Sequence, residues 1–133
     1  MDAHHHHVEH LEEAKMSVES LVSLIQAGEP LLLLDLRSFL LYNQSHVAGA
    51  INVCIPKTLA KRHGFTVLSI ESGICKKADK DEFALRQGKT VVLYDQSGTE
   101  RDPNTLLCKC FDSLFREALC KTVHWLEGPF FLS

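Results

Sequence analysis

Hydrophobic positions from residue 17 onward change their spacing along the chain, and the change predicts a helix followed by a strand. Ser17 is a good N-cap residue, and Gly28 followed by Pro30 predicts the end of the helix. The uninterrupted leucine run at 31–34 is typical of a strand buried on both faces of a parallel sheet. The expected apolar face of the helix consists of Leu21, Val22, Leu24 and Ile25.

Further strands are predicted at three short segments, 50–53, 90–94 and 123–126. A short helix is predicted at 38–44, where Phe39, Leu40 and Tyr42 are available for packing. The stretch from about 56 to 89 mixes basic residues, glycines and helical pieces, and it is the least regular part of the sequence.

The last predicted helix begins with Asp102 as its N-cap and Pro103 at its first helical position. Strands that alternate with helices predict an α/β domain whose sheet is mainly parallel, with four or five strands and helices on both faces. In such a sheet the functional site lies beyond the carboxyl ends of the strands, which places it at the loop after Tyr94. The buried side of the last helix is expected to consist of Leu106, Leu107, Cys110, Phe111, Leu114 and Phe115.

Length and composition fit a single globular domain. The chain has 133 residues, of which 45% are hydrophobic and 23% are charged. Residues 1–15 are rich in charge and histidine and are expected to be a disordered tail or the remnant of a tag, so that the domain covers 16–133. The adjacent aromatic residues Phe130 and Phe131 predict that the domain is cut from a longer protein.

Charge and cysteine content exclude several classes of protein. The formal net charge of -3 argues against nucleic acid as a partner. The apolar run at 31–34 is far shorter than the ~20 residues that a membrane span needs. We expect reduced thiols, no structural metal and a cytoplasmic or nuclear location, because no secretory signal or C-x-x-C spacing accompanies the cysteines. These are Cys54, Cys75, Cys108, Cys110 and Cys120.

Short motifs in a fixed order resemble a rhodanese-like domain over about residues 17–132. They are Asp-Leu-Arg at 35–37, Ser-His-Val-Ala-Gly-Ala-Ile-Asn-Val at 45–53, and the strand at 91–94. Segments 55–62 and 94–97 are most similar to the non-catalytic N-terminal domain of MAP kinase phosphatases, closest to the fungal MAP kinase tyrosine phosphatases. The resemblance implies a rhodanese-like fold within a longer protein-tyrosine or dual-specificity phosphatase.

The loop after the strand at 91–94 lacks the nucleophile of an active rhodanese. That chemistry needs a cysteine thiolate as the first loop residue, and Asp95 occupies this position. The domain is therefore expected to have no sulfurtransferase or cysteine-based phosphatase activity and to need no cofactor. We expect the Asp95 carboxylate to accept hydrogen bonds from N–H groups of its own loop. The degenerate loop, with D-x5-R spacing, comprises Asp95, Gln96, Ser97, Gly98, Thr99, Glu100 and Arg101.

Polar residues near the other predicted strand ends invite a catalytic interpretation. Asp35 and Arg37 are separated by one residue and need not point the same way, so structural pairing with neighbouring loops is favoured over acid–base catalysis. His46 is expected to stabilise a turn before Val47, because no nucleophile is evident beside it.

Basic residues followed by apolar ones mark segment 57–70, a pattern that fits docking to an acidic groove with hydrophobic pockets. In the phosphatases that the chain resembles, the corresponding basic stretch binds the acidic docking site of a MAP kinase, which implies that partner here. The alternative is that Lys61 and Arg62 form a solvated helix face and that Val67 and Leu68 belong to the core. The candidate docking residues are Lys57, Lys61, Arg62, Phe65, Val67 and Leu68.

The resemblance predicts a catalytically inactive domain that binds a MAP kinase and targets an attached phosphatase to it. Two alternatives stay open. In the first alternative, the domain is an active sulfurtransferase or phosphatase that uses another cysteine. Cys54, near the end of the second predicted strand, is the cysteine to consider. In the second alternative, the domain is regulatory and folds against the phosphatase domain of the same chain.

Overall fold

The central sheet has five strands in the computed structural model, which describes residues 10–96 and 104–127. The strands are Lys15–Met16 (β1), Leu31–Asp35 (β2), Ile51–Asn52 (β3), Thr90–Tyr94 (β4) and Thr122–Leu126 (β5). They lie side by side in the order β1-β5-β4-β2-β3, and every neighbouring pair is parallel. The predicted α/β domain with a mainly parallel sheet is confirmed.

Helices connect the strands. They are Val18–Gln26 (α1), Phe39–Gln44 (α2), Lys57–Ala60 (α3), Val67–Ser72 (α4), Lys77–Ala84 (α5) and Leu106–Glu117 (α6). Residues 10–13 are also helical. Within the described ranges, no helix is both long enough and apolar enough to cross a membrane.

Alternate residues of the central strands face two separate cores, which explains why these strands are continuously apolar. Leu32 and Leu34 of β2 join the larger core with side chains of α4, α5 and α6. Leu33, between them, joins the smaller core with Leu21 of α1 and Tyr42 of α2. Helices therefore cover both faces of the sheet, as predicted.

The outer sides of α1 and α2 are more apolar than the pattern predicted. Ser17 and Ser38 cap these helices through their hydroxyls, as the sequence indicated for Ser17. The expected packing of four side chains is wrong, because successive residues are rotated by about 100° around a helix and only one stripe reaches the sheet. The exposed side chains are Val22, Ile25, Phe39 and Leu40.

The N-terminal boundary of the domain lies earlier than predicted. Leu11 and Ala14 are buried in the larger core, and β1 forms an edge of the sheet. The indole Nε1 of Trp125 donates a hydrogen bond to the Leu11 carbonyl at 2.6 Å. The prediction of a disordered tail is thus wrong for residues 10–15, since a strand of two residues is too short to show a periodic pattern. Residues 1–9 lie outside the part of the chain that the structure describes.

The last helix begins later than predicted. Its N-cap is Thr105, whose hydroxyl accepts a hydrogen bond from the Cys108 N–H at 3.3 Å, and its first residue is Leu106. The predicted N-cap Asp102 and first helical residue Pro103 lie outside the described ranges. Phe115 is exposed rather than buried. Residues 130 and 131 are not among those described.

Candidate functional site

The carboxyl ends of β2, β3 and β4 meet in one row, as the parallel topology requires. Asp35 is the register partner of both Asn52 and Tyr94. The Asn52 side-chain amide donates to the carbonyls of Asp35 at 3.2 Å and Arg37 at 3.0 Å. The Leu36 N–H donates to the Tyr94 carbonyl at 2.9 Å. These bonds continue the sheet past the end of β2 and hold the backbone of residues 35–37 in place.

Asp35 and Arg37 form a buried ion pair with each other in this row. The guanidinium Nη2 lies 2.8 Å from Oδ2, Nε donates to the same carboxylate, and the Arg37 N–H donates to Oδ1 at 2.9 Å. The sequence left the direction of the two side chains open, and in the structure they point toward each other. Nη2 also donates to the Ser45 carbonyl at 2.5 Å, so the pair ties two loops together. Its role is structural, as favoured from the sequence.

Tyr94 closes the same cluster from β4. Its ring is buried, and the Arg37 guanidinium carbon lies 5.7 Å from the ring centroid. The Val47 N–H donates to the phenolic oxygen at 3.2 Å. Burial raises the pKa of the Tyr94 phenol above its ordinary value, which makes ionisation to a phenolate still less favourable.

His46 stabilises its turn in the way that the sequence indicated. Its imidazole stacks on the Tyr42 ring with centroids 3.7 Å apart and planes inclined by 9°. Nδ1 lies 2.7 Å from the Tyr42 carbonyl, which can only accept, so Nδ1 carries the proton. The Tyr42 hydroxyl in turn donates to the Ala50 carbonyl at 2.7 Å.

Asp95 follows β4 at the carboxyl edge and is half-buried, and Gln96 is exposed. The remaining predicted loop residues, Ser97, Gly98, Thr99, Glu100 and Arg101, lie outside the described ranges. The hydrogen bonds expected for the Asp95 carboxylate therefore stay a prediction.

Cysteines differ sharply in their surroundings. Cys110 of α6 is fully buried, and burial raises the pKa of its thiol well above the ordinary value. Burial also raises the pKa of Cys120. Both thiols are therefore poor nucleophiles. Cys54 and Cys75 are exposed, and Cys54 follows β3 at the carboxyl edge of the sheet.

In the described residues no three metal-ligating side chains are grouped to hold an ion.

Segment 57–72 carries all of the candidate docking residues on α3, the turn after it and α4. Lys57 begins α3, Lys61 is its C-cap residue, and Arg62 follows; all three side chains are exposed. None of them forms an ion pair with another residue in 10–96 or 104–127. This segment thus presents positive charge that the described part of the domain does not neutralise.

The apolar candidates in the same segment divide into two kinds. Leu68 is 74% exposed, so it does not belong to the core. Phe65 and Val67 are half-buried and pack against the larger core. The alternative that Val67 and Leu68 belong to the core is therefore correct in part for Val67 and wrong for Leu68. Leu68 is the apolar side chain most available to a partner.

Two depressions adjoin these residues. A cleft of about 220 Å³ is lined by Arg62 and His63 together with the apolar side chains of Leu59 and Phe65. Sequence reasoning missed Leu59, because the helical pieces of the irregular stretch 56–89 were predicted without bounds. A longer groove of about 570 Å³ between α4 and α6 is lined on its α4 side by Phe65, Val67 and Leu68.

The far wall of the groove carries charges that are paired with one another. Arg86 and Glu117 form a two-pronged ion pair with distances of 2.8 and 2.5 Å. The hydrogen bond to Glu117 raises the pKa of the Arg86 guanidinium above its ordinary value. Arg116 pairs with Asp112 at 3.0 Å. The groove also contains the carboxylate of Glu71 on α4, so it offers mainly apolar surface with a slight excess of negative charge, whereas Arg62 and His63 line the cleft.

Comparison with known proteins gives the family. The family model of the rhodanese-like domain matches residues 17–131. Human dual specificity protein phosphatase 6 is 41% identical over 79 residues, which cover 59% of this chain and 21% of that protein. Human dual specificity protein phosphatase 16 is 35% identical over 116 residues, which cover 84% of this chain and 17% of that protein. The expected likeness to fungal phosphatases stays a prediction, because these relatives are human.

A solved structure shows the same fold. The human single-domain sulfurtransferase TSTD1 superposes with a TM-score of 0.53 at 17% sequence identity, covering 88% of this chain and 91% of that one. The phosphatases are much longer than the present sequence, which spans about a fifth of their length. With a matching family model over nearly all of its described residues and a five-stranded parallel sheet, the chain belongs to the rhodanese-like domain family.

Proposed function

We propose that this chain is a catalytically inactive docking domain that binds a MAP kinase and directs an attached phosphatase to it, in the cytoplasm or nucleus. The observation that carries the proposal is the surface formed by α3, its turn and α4. There Lys61 and Arg62 stand exposed and without an ion-pair partner among the described residues. Arg62 lines the cleft together with Phe65, and Phe65 also lines the groove that contains the exposed side chain of Leu68. The likeness to dual specificity protein phosphatases supports the proposal.

Charge and shape both favour an acidic protein partner. Carboxylates of the kinase would meet Lys61 and Arg62 without first displacing a carboxylate of residues 10–96 or 104–127, which favours association. Leu68 would lose its large exposed apolar area on binding. Phe65 lines both the cleft and the groove, so an extended segment of the partner would contact charge and apolar surface together.

Chemistry at the carboxyl edge favours the absence of catalysis. A carboxylate at position 95 cannot carry a persulfide, and it repels an incoming thiosulfate or phosphate anion. The buried thiols of Cys108 and Cys110 on α6 are withdrawn from any substrate. The neighbouring Asp35 and Arg37 are occupied in their own ion pair.

Charge reversal at the docking surface tests the proposal. The double variant Lys61→Glu/Arg62→Glu is expected to weaken kinase binding by about 2 kcal/mol or more, roughly 30-fold, because two attractive contacts with carboxylates become repulsive. The measurement is calorimetric titration of the domain with a panel of purified MAP kinases. The matched control is Lys76→Glu/Lys77→Glu, which makes the same change in net charge at an exposed basic pair outside the docking segment.

Two results would contradict the proposed docking to a MAP kinase. Equal weakening by both double variants would show attraction by net charge alone, without a docking surface. A folded wild-type domain that binds none of the kinases would reject the kinase as partner. Titration with the phosphatase domain of the full-length protein would then test the intramolecular regulatory alternative.

An enzymatic rival rests on Cys54, which is exposed at the carboxyl edge two residues beyond the end of β3. We expect no thiosulfate:cyanide sulfurtransferase activity and no hydrolysis of p-nitrophenyl phosphate above a protein-free blank, because the loop cysteine is missing. Activity that is present in the wild type and disappears in Cys54→Ser would establish the rival instead. Cys75→Ser is the control, since this thiol is also exposed.

A further inference from the structure

Helix α6 lies behind the docking surface and reaches into it through one long side chain. The ammonium group of Lys109, a half-buried residue of α6, donates a hydrogen bond to the carbonyl of Ala60. Ala60 is the last residue of α3 and is itself buried. Lys61 and Arg62 follow it directly in the chain. A residue 49 positions away in sequence thus holds the backbone from which the two docking cations project.

Helix α3 needs such support from outside. It has four residues, and Pro56 at its N-cap makes no side-chain capping hydrogen bond. A helix this short is unstable alone. The carbonyls of Lys57 and Leu59 accept from the N–H groups of Lys61 and Arg62, and the last carbonyl, that of Ala60, accepts from Lys109. An ammonium group at the carboxyl end of a helix satisfies a free carbonyl and interacts favourably with the helix dipole. Lys109 therefore provides the bond that α3 does not supply for itself.

A second side chain of α6 lies against the other end of the same turn. The Ser113 hydroxyl, one helical turn beyond Lys109, lies 3.5 Å from the Phe65 carbonyl while it donates to the Lys109 carbonyl at 2.8 Å. Since a hydroxyl has one proton to donate, its shorter bond is the dominant one. The Lys109 bond is thus the principal polar anchor of segment 60–65 on α6.

We propose that Lys109 is a positioning residue for kinase docking, which holds α3 and the following turn in the conformation that presents Lys61 and Arg62. The inference rests on the proposed function and assigns a role to a residue outside the docking segment. Apparent affinity falls in proportion to the fraction of molecules in the binding-competent conformation. Loss of the anchor therefore weakens binding without removing any group that contacts the kinase.

The test is Lys109→Met, which keeps a flexible apolar side chain but removes the donor and its charge. Kinase binding is expected to weaken roughly tenfold, and amide hydrogen exchange in residues 57–64 is expected to become faster. Lys109→Arg, which keeps a charged donor, is expected to restore most of both. The control is Lys80→Met, the same substitution at an exposed lysine of α5.

These measurements distinguish a failure of the Lys109 anchor from a failure of kinase docking itself. Wild-type affinity in Lys109→Met would overturn the inference and leave the proposed function intact. Weaker binding with unchanged exchange in 57–64 would also overturn it, because Lys109 would then act as a direct contact. A wild-type domain that binds no kinase would remove the docking role altogether. If Lys109→Met does not fold, Lys109→Gln carries the same two measurements with a neutral donor, and intermediate values of both support the anchor.

Discussion

Replacing Arg37 with methionine is expected to lower the free energy of unfolding by about 3–5 kcal/mol, because it leaves the Asp35 carboxylate buried without its counter-charge. Asp35 has no exposed surface, and Arg37 supplies its ion pair as well as a hydrogen bond to the Ser45 carbonyl. Urea unfolding followed by the fluorescence of Trp125, the single and fully buried tryptophan, gives the measurement.

Two further variants show whether charge burial is the cause. Lys77→Met breaks an ion pair whose side chains are 89% and 65% exposed, and we expect it to change stability by no more than about 0.5 kcal/mol. Asp35→Leu/Arg37→Met removes both buried charges and is expected to recover part of the loss. A double variant less stable than Arg37→Met would show that the Asp35 hydrogen bonds, rather than its unpaired charge, are what the domain needs.

Leu11→Ala is expected to destabilise the domain by about 2–5 kcal/mol, since it opens a cavity in the larger core. Starting the chain at Ser17, where the family match begins, is expected to cost more, because β1 and the acceptor of the Trp125 indole are lost as well. Thermal or urea unfolding measures both. Glu13→Ala, an exposed substitution in the same segment, is the control and is expected to stay within about 0.5 kcal/mol.

An unchanged stability of the chain that starts at Ser17 would contradict the structure of this segment. The N-terminal residues would then be the tail that the sequence suggested, and the core would close without Leu11. The result also bears on kinase titrations, because a domain prepared from Ser17 onward is expected to be only marginally stable.

Local patterns were sufficient to predict most elements near the sheet. The leucine run before Asp35 and the β-branched run before Asp95 predict β2 and β4, because continuous apolar sequence is what burial on both faces of a sheet requires. Ser17 predicts the start of α1, since its hydroxyl caps that helix through the Ser20 N–H. The identity of the first loop residue, Asp95, is read directly from the sequence.

The sequence predicted which residues belong to the candidate site, but not how these residues are arranged. Lys61, Arg62 and Leu68 were named from a basic and apolar pattern, and all three are exposed, while their docking role stays a prediction. The same pattern did not distinguish them from Phe65 and Val67, which are half-buried. The difference depends on which side of α4 meets α6, and hydrophobicity alone carries no information on that contact.

By itself, then, the sequence determined β2 to β5, α1, α2 and the body of α6, the parallel sheet and the aspartate at position 95, because each of these depends on neighbouring residues or on one residue type. Tertiary structure decided the rest. The Asp35–Arg37 pair forms where the Leu36 N–H meets the Tyr94 carbonyl, the N-terminal segment folds onto Trp125 across 114 positions, and Lys109 reaches Ala60 across 49. Contacts between residues far apart in sequence are set by packing of whole elements, and no local spacing records them.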